Sequence, residues 1–128
     1  MSLPIVDEST IEAHDLPGRK LRWVVTNDNT NAQHCTMCVI QVEPGQTVKP
    51  AHSHPNGEEV IYIVEGSGRV WIEGEIEPVK AGCAVLFPQG KIHMLQNSGN
   101  TVMKVACFFA PPSDLSTYKF FPEIEFPA

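Results

Sequence analysis

Short apolar runs separated by turn residues repeat along almost the whole chain, and no segment keeps a helical period through three turns. The runs predict strands over 21–26, 36–43, 59–65, 68–73, 83–87, 92–97 and 102–109. Between them lie Glu43-Pro44-Gly45, His54-Pro55-Asn56-Gly57, Glu73-Gly74-Glu75, Pro88-Gln89-Gly90 and Asn97-Ser98-Gly99-Asn100. Strand starts recur at roughly 8–12 residues, the spacing of an antiparallel sandwich or small barrel. Eleven prolines in and around these turns argue against a helical protein. The fold class is all-β.

Side-chain parity adds detail. With Lys104 as an outward marker, Met103, Val105, Cys107 and Phe109 point into the barrel and make its cavity apolar and tight. Gln41, Gln96 and Lys91 are the polar candidates near it. Run 59–65 is apolar on both faces: Ile61 and Ile63 accompany Glu59, while Val60, Tyr62 and Val64 accompany Glu58. Its outer face therefore needs cover, from N-terminal strands or from a second subunit, and a homodimer is expected. The tail after Pro111-Pro112 carries Leu115, Tyr118, Phe120, Phe121, Ile124 and Phe126, too many apolar side chains for disorder, so it should dock on the barrel or on a neighbour.

At 128 residues the chain has the size of one domain, and 42% hydrophobic and 19% charged residues are ordinary for a globular one. A net charge of −6 without a Lys/Arg cluster argues against a nucleic-acid partner. No apolar run reaches transmembrane length and the first residues lack a signal-peptide pattern, so no membrane partner and a cytoplasmic setting are expected. Four cysteines include a C-x-x-C pair, Cys35 and Cys38. On a strand that odd spacing sends the two sulfurs to opposite faces, so buried, apolar cysteine is the expectation rather than a zinc or redox pair.

The chemistry concentrates in two blocks. The first reads Gly45-Gln46-Thr47-Val48-Lys49-Pro50-Ala51-His52-Ser53-His54, followed by Glu58-Glu59 and Gly66; the second contains Gly82, Pro88, Gly90, His93 and Asn97. Residues two apart on a strand share a face and lie roughly 6.6 Å apart, so His52 and His54 can tilt toward one ion. The turn at Pro55-Asn56-Gly57 returns a carboxylate, Glu58 or Glu59, to the same neighbourhood, and His93 could close the cage. Neutral imidazoles and a carboxylate suit a divalent first-row metal. The plain alternative is a barrel whose histidines are merely hydrogen-bonded.

These blocks resemble the motifs of single-domain cupins. The second matches G-x5-P-x-G-x2-H-x3-N through Gly82, Pro88, Gly90, His93 and Asn97. The first matches H-x-H-x(3,4)-E-x6-G through His52, His54, Glu59 and Gly66, with six residues rather than the usual five between Gly45 and His52. The interval to Gly66 selects Glu59 over Glu58. The resemblance implies a double-stranded β-helix (jelly-roll) barrel over 35–110, after an N-terminal arm and edge strand over 1–34 and before a tail over 111–128 that docks on the barrel or a partner. It implies one divalent transition metal (Fe, Mn, Ni, Zn or Cu) on His52, His54, Glu59 and His93, with two positions left for water or a small-molecule ligand. Metal-dependent isomerase, decarboxylase or dioxygenase chemistry on a keto acid, sugar derivative or diol follows from it, as does a non-catalytic binding or sensing role. Glu58 is the weak candidate for a catalytic base. Gly66, Gly82, Gly90, Pro88 and Asn97 are expected to shape turns, and His14 and His34 to lie on the surface.

Overall fold

The computed structural model describes residues 3–128. Among these residues, eleven strands form two antiparallel sheets. The chain runs through β1 (His14–Leu16), β2 (Arg19–Val25), the single-turn helix α1 (Asn27–Thr30), β3 (Thr36–Val42), β4 (Ala51–Ser53) and β5 (Glu58–Glu65). It continues through β6 (Ser67–Ile72), β7 (Glu75–Lys80), β8 (Ala84–Phe87), β9 (His93–Gln96), β10 (Met103–Ala110) and β11 (Lys119–Phe121). One sheet is ordered β1-β2-β3-β10-β5-β8 and the other β11-β4-β9-β6-β7. They face each other as a double-stranded β-helix.

The alternation read from the sequence sets which side chains fill the barrel. Met103, Val105, Cys107 and Phe109 are buried, while Lys104 reaches outward to Glu8 at 2.6 Å. Ile61 and Ile63 are buried beside Glu59, and Val60, Tyr62 and Val64 face outward, half-exposed. Ile40 and Val42 of β3 and Val70 and Leu95 of the opposite sheet complete the core. β7 contains Pro78, which no central strand would tolerate; it forms the edge of its sheet, where the missing N–H costs nothing.

The N-terminal residues do cover part of the outer face of the larger sheet, through the Glu8–Lys104 pair and through Val6, which lies with Val24, Val25, Met37 and Val39 around one cleft. The tail docks on its own barrel: β11 pairs with β4, with Phe120 opposite His52. Asn97 is fully buried and structural. Its amide donates to the carbonyls of Val42 and Thr101, both at 2.8 Å, and its oxygen accepts from the Gly99 N–H, tying the β9–β10 turn to the end of β3. Cys35 is exposed and Cys38 buried, and all four cysteines are free thiols. None of the described helices is long and apolar enough to cross a membrane.

Candidate metal centre

Three strands and two turns bring the motif side chains together. His52 lies on β4, directly opposite His93 at the start of β9. His54 follows β4, and its carbonyl accepts the N–H of Gly90 at 3.1 Å, so the Pro88–Gly90 turn is tied to the segment bearing two of the histidines. Gly90 holds φ +77°, a left-handed turn conformation that a side chain would strain. Glu59 enters from β5, on the inward parity, next to Phe87 of β8.

All four residues are buried, and their ligating atoms lie within 4.8 Å of one another. Glu59 Oε1 lies 3.0 Å from His54 Nε2 and 3.3 Å from His93 Nε2. The Nδ1–H groups of His52 and His93 donate to the backbone carbonyls of Pro50 and Lys91, at 3.0 and 3.1 Å. Those bonds select the tautomer whose Nε2 lone pair faces the cluster, the outer support that metal-ligating histidines require. His93 Nε2 and His54 Nδ1 are buried and lack a hydrogen-bond partner among the described residues. Such orphans are uncommon in finished interiors. A cation would satisfy the first, and the donor set of three imidazoles and one carboxylate suits a first-row divalent ion.

The electrostatics favour the unprotonated ligands. Burial, and then the neighbouring His93 ring, lowers His52 to about 3. Burial alone would raise the Glu59 carboxyl, but the hydrogen bond from His54 Nε2 and the closeness of the His93 ring hold it well below the usual carboxylate range. Both groups thus sit in the form that binds a cation near neutrality.

Aromatic packing fixes the imidazole planes. Phe87 stacks on His93 with ring centroids 3.9 Å apart and planes within 3° of parallel. Tyr118, brought in by the tail, stacks on His52 at 4.9 Å and meets His54 edge-on at 4.5 Å. Burial and the nearby Glu59 charge push its phenol well above its ordinary value, so it stays protonated. No motif marks Tyr118, because long-range pairing of β11 with β4 puts it there. Within the barrel, Cys107 faces Cys38 across the β3–β10 ladder. The Cys38 thiol, and then burial, push the Cys107 thiol up, so it behaves as a small apolar group. Arg19 is a buried cation whose Nη1 donates to the carbonyls of Pro17 and Lys49.

The remaining candidates divide. Glu58 points outward and is exposed, yet it borders a small cavity of about 90 Å³ with His54, Phe109 and Thr117. Gln96 is engaged by Arg69 and Thr47, Gln41 by Arg22, and Lys91 is exposed, so the polar neighbours expected from the sequence lie outside the cluster. His14 and His34 are exposed.

A double-stranded β-helix with a His-His-Glu-His cluster inside it defines a class of small barrel proteins with a metal-capable interior. Residues 38–109 match the cupin domain, and the chain belongs to the cupin family. It is 29% identical over 107 residues to the polyketide synthase protein CurC of Streptomyces cyaneus, an alignment covering 84% of this chain and 69% of that one. In structure it is similar to a predicted oxalate decarboxylase from Thermotoga maritima, with a TM-score of 0.75 and 21% identity over 84% of this chain and 98% of the other. The polyketide cyclase RemF from Streptomyces resistomycificus is similar with a TM-score of 0.70 and 21% identity, over 87% and 85% of the two chains. At that identity the structural likeness speaks for the fold.

Proposed function

We propose that the protein is a metal-dependent enzyme acting on a small oxygenated molecule, a keto acid, sugar derivative or diol, by isomerase, decarboxylase or dioxygenase chemistry. The observation that carries this reading is the convergence of four ligating atoms within 4.8 Å in the barrel interior. His52, His54, Glu59 and His93 hold the ion, one of Fe, Mn, Ni, Zn or Cu. Bound there, it supplies Lewis-acid polarisation or, with a redox metal, oxygen chemistry. The chain's own residues do the rest. The Pro50 and Lys91 carbonyls orient two imidazoles, Tyr118 and Phe87 shield the site from water, and Glu58 at the edge of the small cavity is the group available to take a proton. The polyketide-synthesis role in the name of CurC supports a substrate rich in carbonyl and hydroxyl oxygen. Free cysteines throughout support a cytoplasmic, reducing setting.

A non-catalytic small-molecule-binding or sensing role is the second reading. It is favoured by the small size of the cavity beside His54 and by the absence of a second acid or base around it among the described residues. Metal analysis of the purified protein, followed by oxygen uptake and product assays with candidate ligands, separates the two. Replacing His52 or His93 with Ala should leave the β-sheet spectrum intact and the metal content well below one per chain. Retention of a full equivalent of metal by both variants would refute the assignment. Metal held without turnover of any keto acid, sugar or diol would transfer the conclusion to the binding role.

A further inference from the structure

The metal cluster is not open to solvent through a wide mouth. The tail closes it: Tyr118 lies against His52 and His54, and Pro112, Ser113 and Thr117 wall off the small cavity that His54 borders. The same three residues also form one side of a much larger groove, about 510 Å³, whose far side carries Trp23, Asn27 and Asp28. The wall is thin and rests on hydroxyl contacts. The Ser113 N–H donates to Thr36 Oγ1 at 2.9 Å, and Ser113 Oγ and Thr117 Oγ1 share a hydrogen bond of 2.7 Å. Moving it aside would join the groove to the cavity beside His54.

The groove has the volume of a small-molecule site, within the usual range of roughly 300–1,000 Å³. The inner cavity alone has room for only a few waters. The lining has a definite chemistry. Asp28 and Asp114 border the groove and Glu58 the inner cavity, and neither contains a lysine or arginine. The buried cation, Arg19, lines neither cavity. Among the described residues the Asp28 carboxylate and the side-chain oxygen of Asn27 make no side-chain hydrogen bond, which leaves them as acceptors. His54 Nδ1 is likewise without a partner, and His54 borders the inner cavity. Flat apolar walls connect the two spaces: Trp23 of the groove lies 6.1 Å from Phe109 of the inner cavity, ring centroid to ring centroid.

We propose that the groove at Trp23 is the outer half of the ligand site, that its ligand is an uncharged flat ring bearing hydroxyl groups rather than a carboxylate, and that it enters as the 112–118 wall is displaced. Hydroxyl donors meet Asp28 and Asn27, and the ring lies along Trp23 toward Phe109. A carboxylate in the groove would meet the like charges of Asp28 and Asp114 with no lysine or arginine there to offset them. The proposal rests on the metal-site reading above and narrows its substrate class, away from keto acids.

The test uses the full chain reconstituted with Zn²⁺. A Trp71→Phe background leaves Trp23 as the single tryptophan, and its emission reports occupancy of the groove. Catechol should quench it saturably and bind about tenfold or more tightly than oxalate or pyruvate. Asp28 is exposed, so Asp28→Lys should fold normally. It should weaken catechol by about tenfold and strengthen oxalate. Equal or tighter binding of oxalate, or catechol binding unmoved by Asp28→Lys, would overturn the proposal. Failure of the protein to take up metal in the first place would instead refute the metal assignment, so the two failures are distinct.

Discussion

His52 shows how one side chain ties folding to the chemistry of the site. It takes up a proton near pH 6.5 in the unfolded chain, whereas burial keeps the folded imidazole neutral down to about pH 3. Between those values the unfolded state binds more protons, so stability falls as pH drops. Glu59 acts in the same direction below its ordinary value of 4.5, because the folded carboxylate resists protonation. Metal-free protein should therefore hold a plateau of stability above about pH 7 and lose up to about 1.4 kcal/mol per pH unit below 6.5 from His52 alone. Urea unfolding midpoints between pH 7.5 and 4 read this directly, and a flat profile across that span would contradict it. A second expectation belongs to Asn97, whose three hydrogen bonds leave three backbone groups without partners when the amide is removed. Asn97→Ala should cost about 2–4 kcal/mol in the same unfolding assay, with the His-His-Glu-His cluster untouched. The cluster of His52, His54, Glu59 and His93 is legible in the sequence because two motifs carry these residues at fixed offsets. Parity alone left Glu58 and Glu59 open, since both faces of that strand are apolar, and the structure places Glu59 inward.

Among the elements, the strands with clean two-residue alternation were legible to within two residues of their ends: 36–43 against β3, and 102–109 against β10. Four strands were not read. β1 and β4 have three residues each, too few to show a period, and β7 is interrupted by Pro78 at an edge where only one neighbour constrains it. β11 was visible only as an excess of aromatics, because its partner, β4, lies 66 residues or more earlier in the chain. Tyr118 was lost for the same reason, and with it the closure of the site. That closure predicts unequal local stability. β11 is a three-residue strand at a sheet edge, with two of its residues exposed. Amides of residues 119–121 should exchange with solvent far faster than those of β10, which is paired on both sides. Tyr118→Ala removes the stacking on His52 and the edge contact with His54, and should speed that exchange by a further factor of about ten. Hydrogen exchange followed by mass spectrometry distinguishes the cases; protection of β11 equal to that of β10 would mean that the tail is part of the rigid barrel and not a movable wall.

For the molecule as a whole, the unanswered face is the outer side of β5. Its inner side carries Glu59, Ile61 and Ile63, while outside it Val60, Tyr62 and Val64, with Leu86 and Phe108, stand between 40% and 50% exposed. Val60 is the centre of this patch, paired with Leu86 on one side and Phe108 on the other. Among the described residues, the N-terminal segment covers the β2–β3 end of the same sheet through Val6 and reaches β10 through the Glu8–Lys104 pair, while Val60, Tyr62 and Leu86 at the β5–β8 end stay half-exposed. A contiguous apolar strip flanked by a covered region has the form of a two-fold interface, in which each copy offers the same strip to the other. Val60→Lys would set a charge at its centre, and a desolvated, unpaired ammonium costs several kcal/mol. The wild-type chain should therefore sediment as a homodimer at micromolar concentration and the variant as a monomer. Because Val60 faces away from Glu59, the variant should keep its metal stoichiometry, so loss of the dimer and loss of the site can be told apart. A wild-type chain that sediments as a monomer would leave the strip exposed in the working protein and remove the argument for self-association.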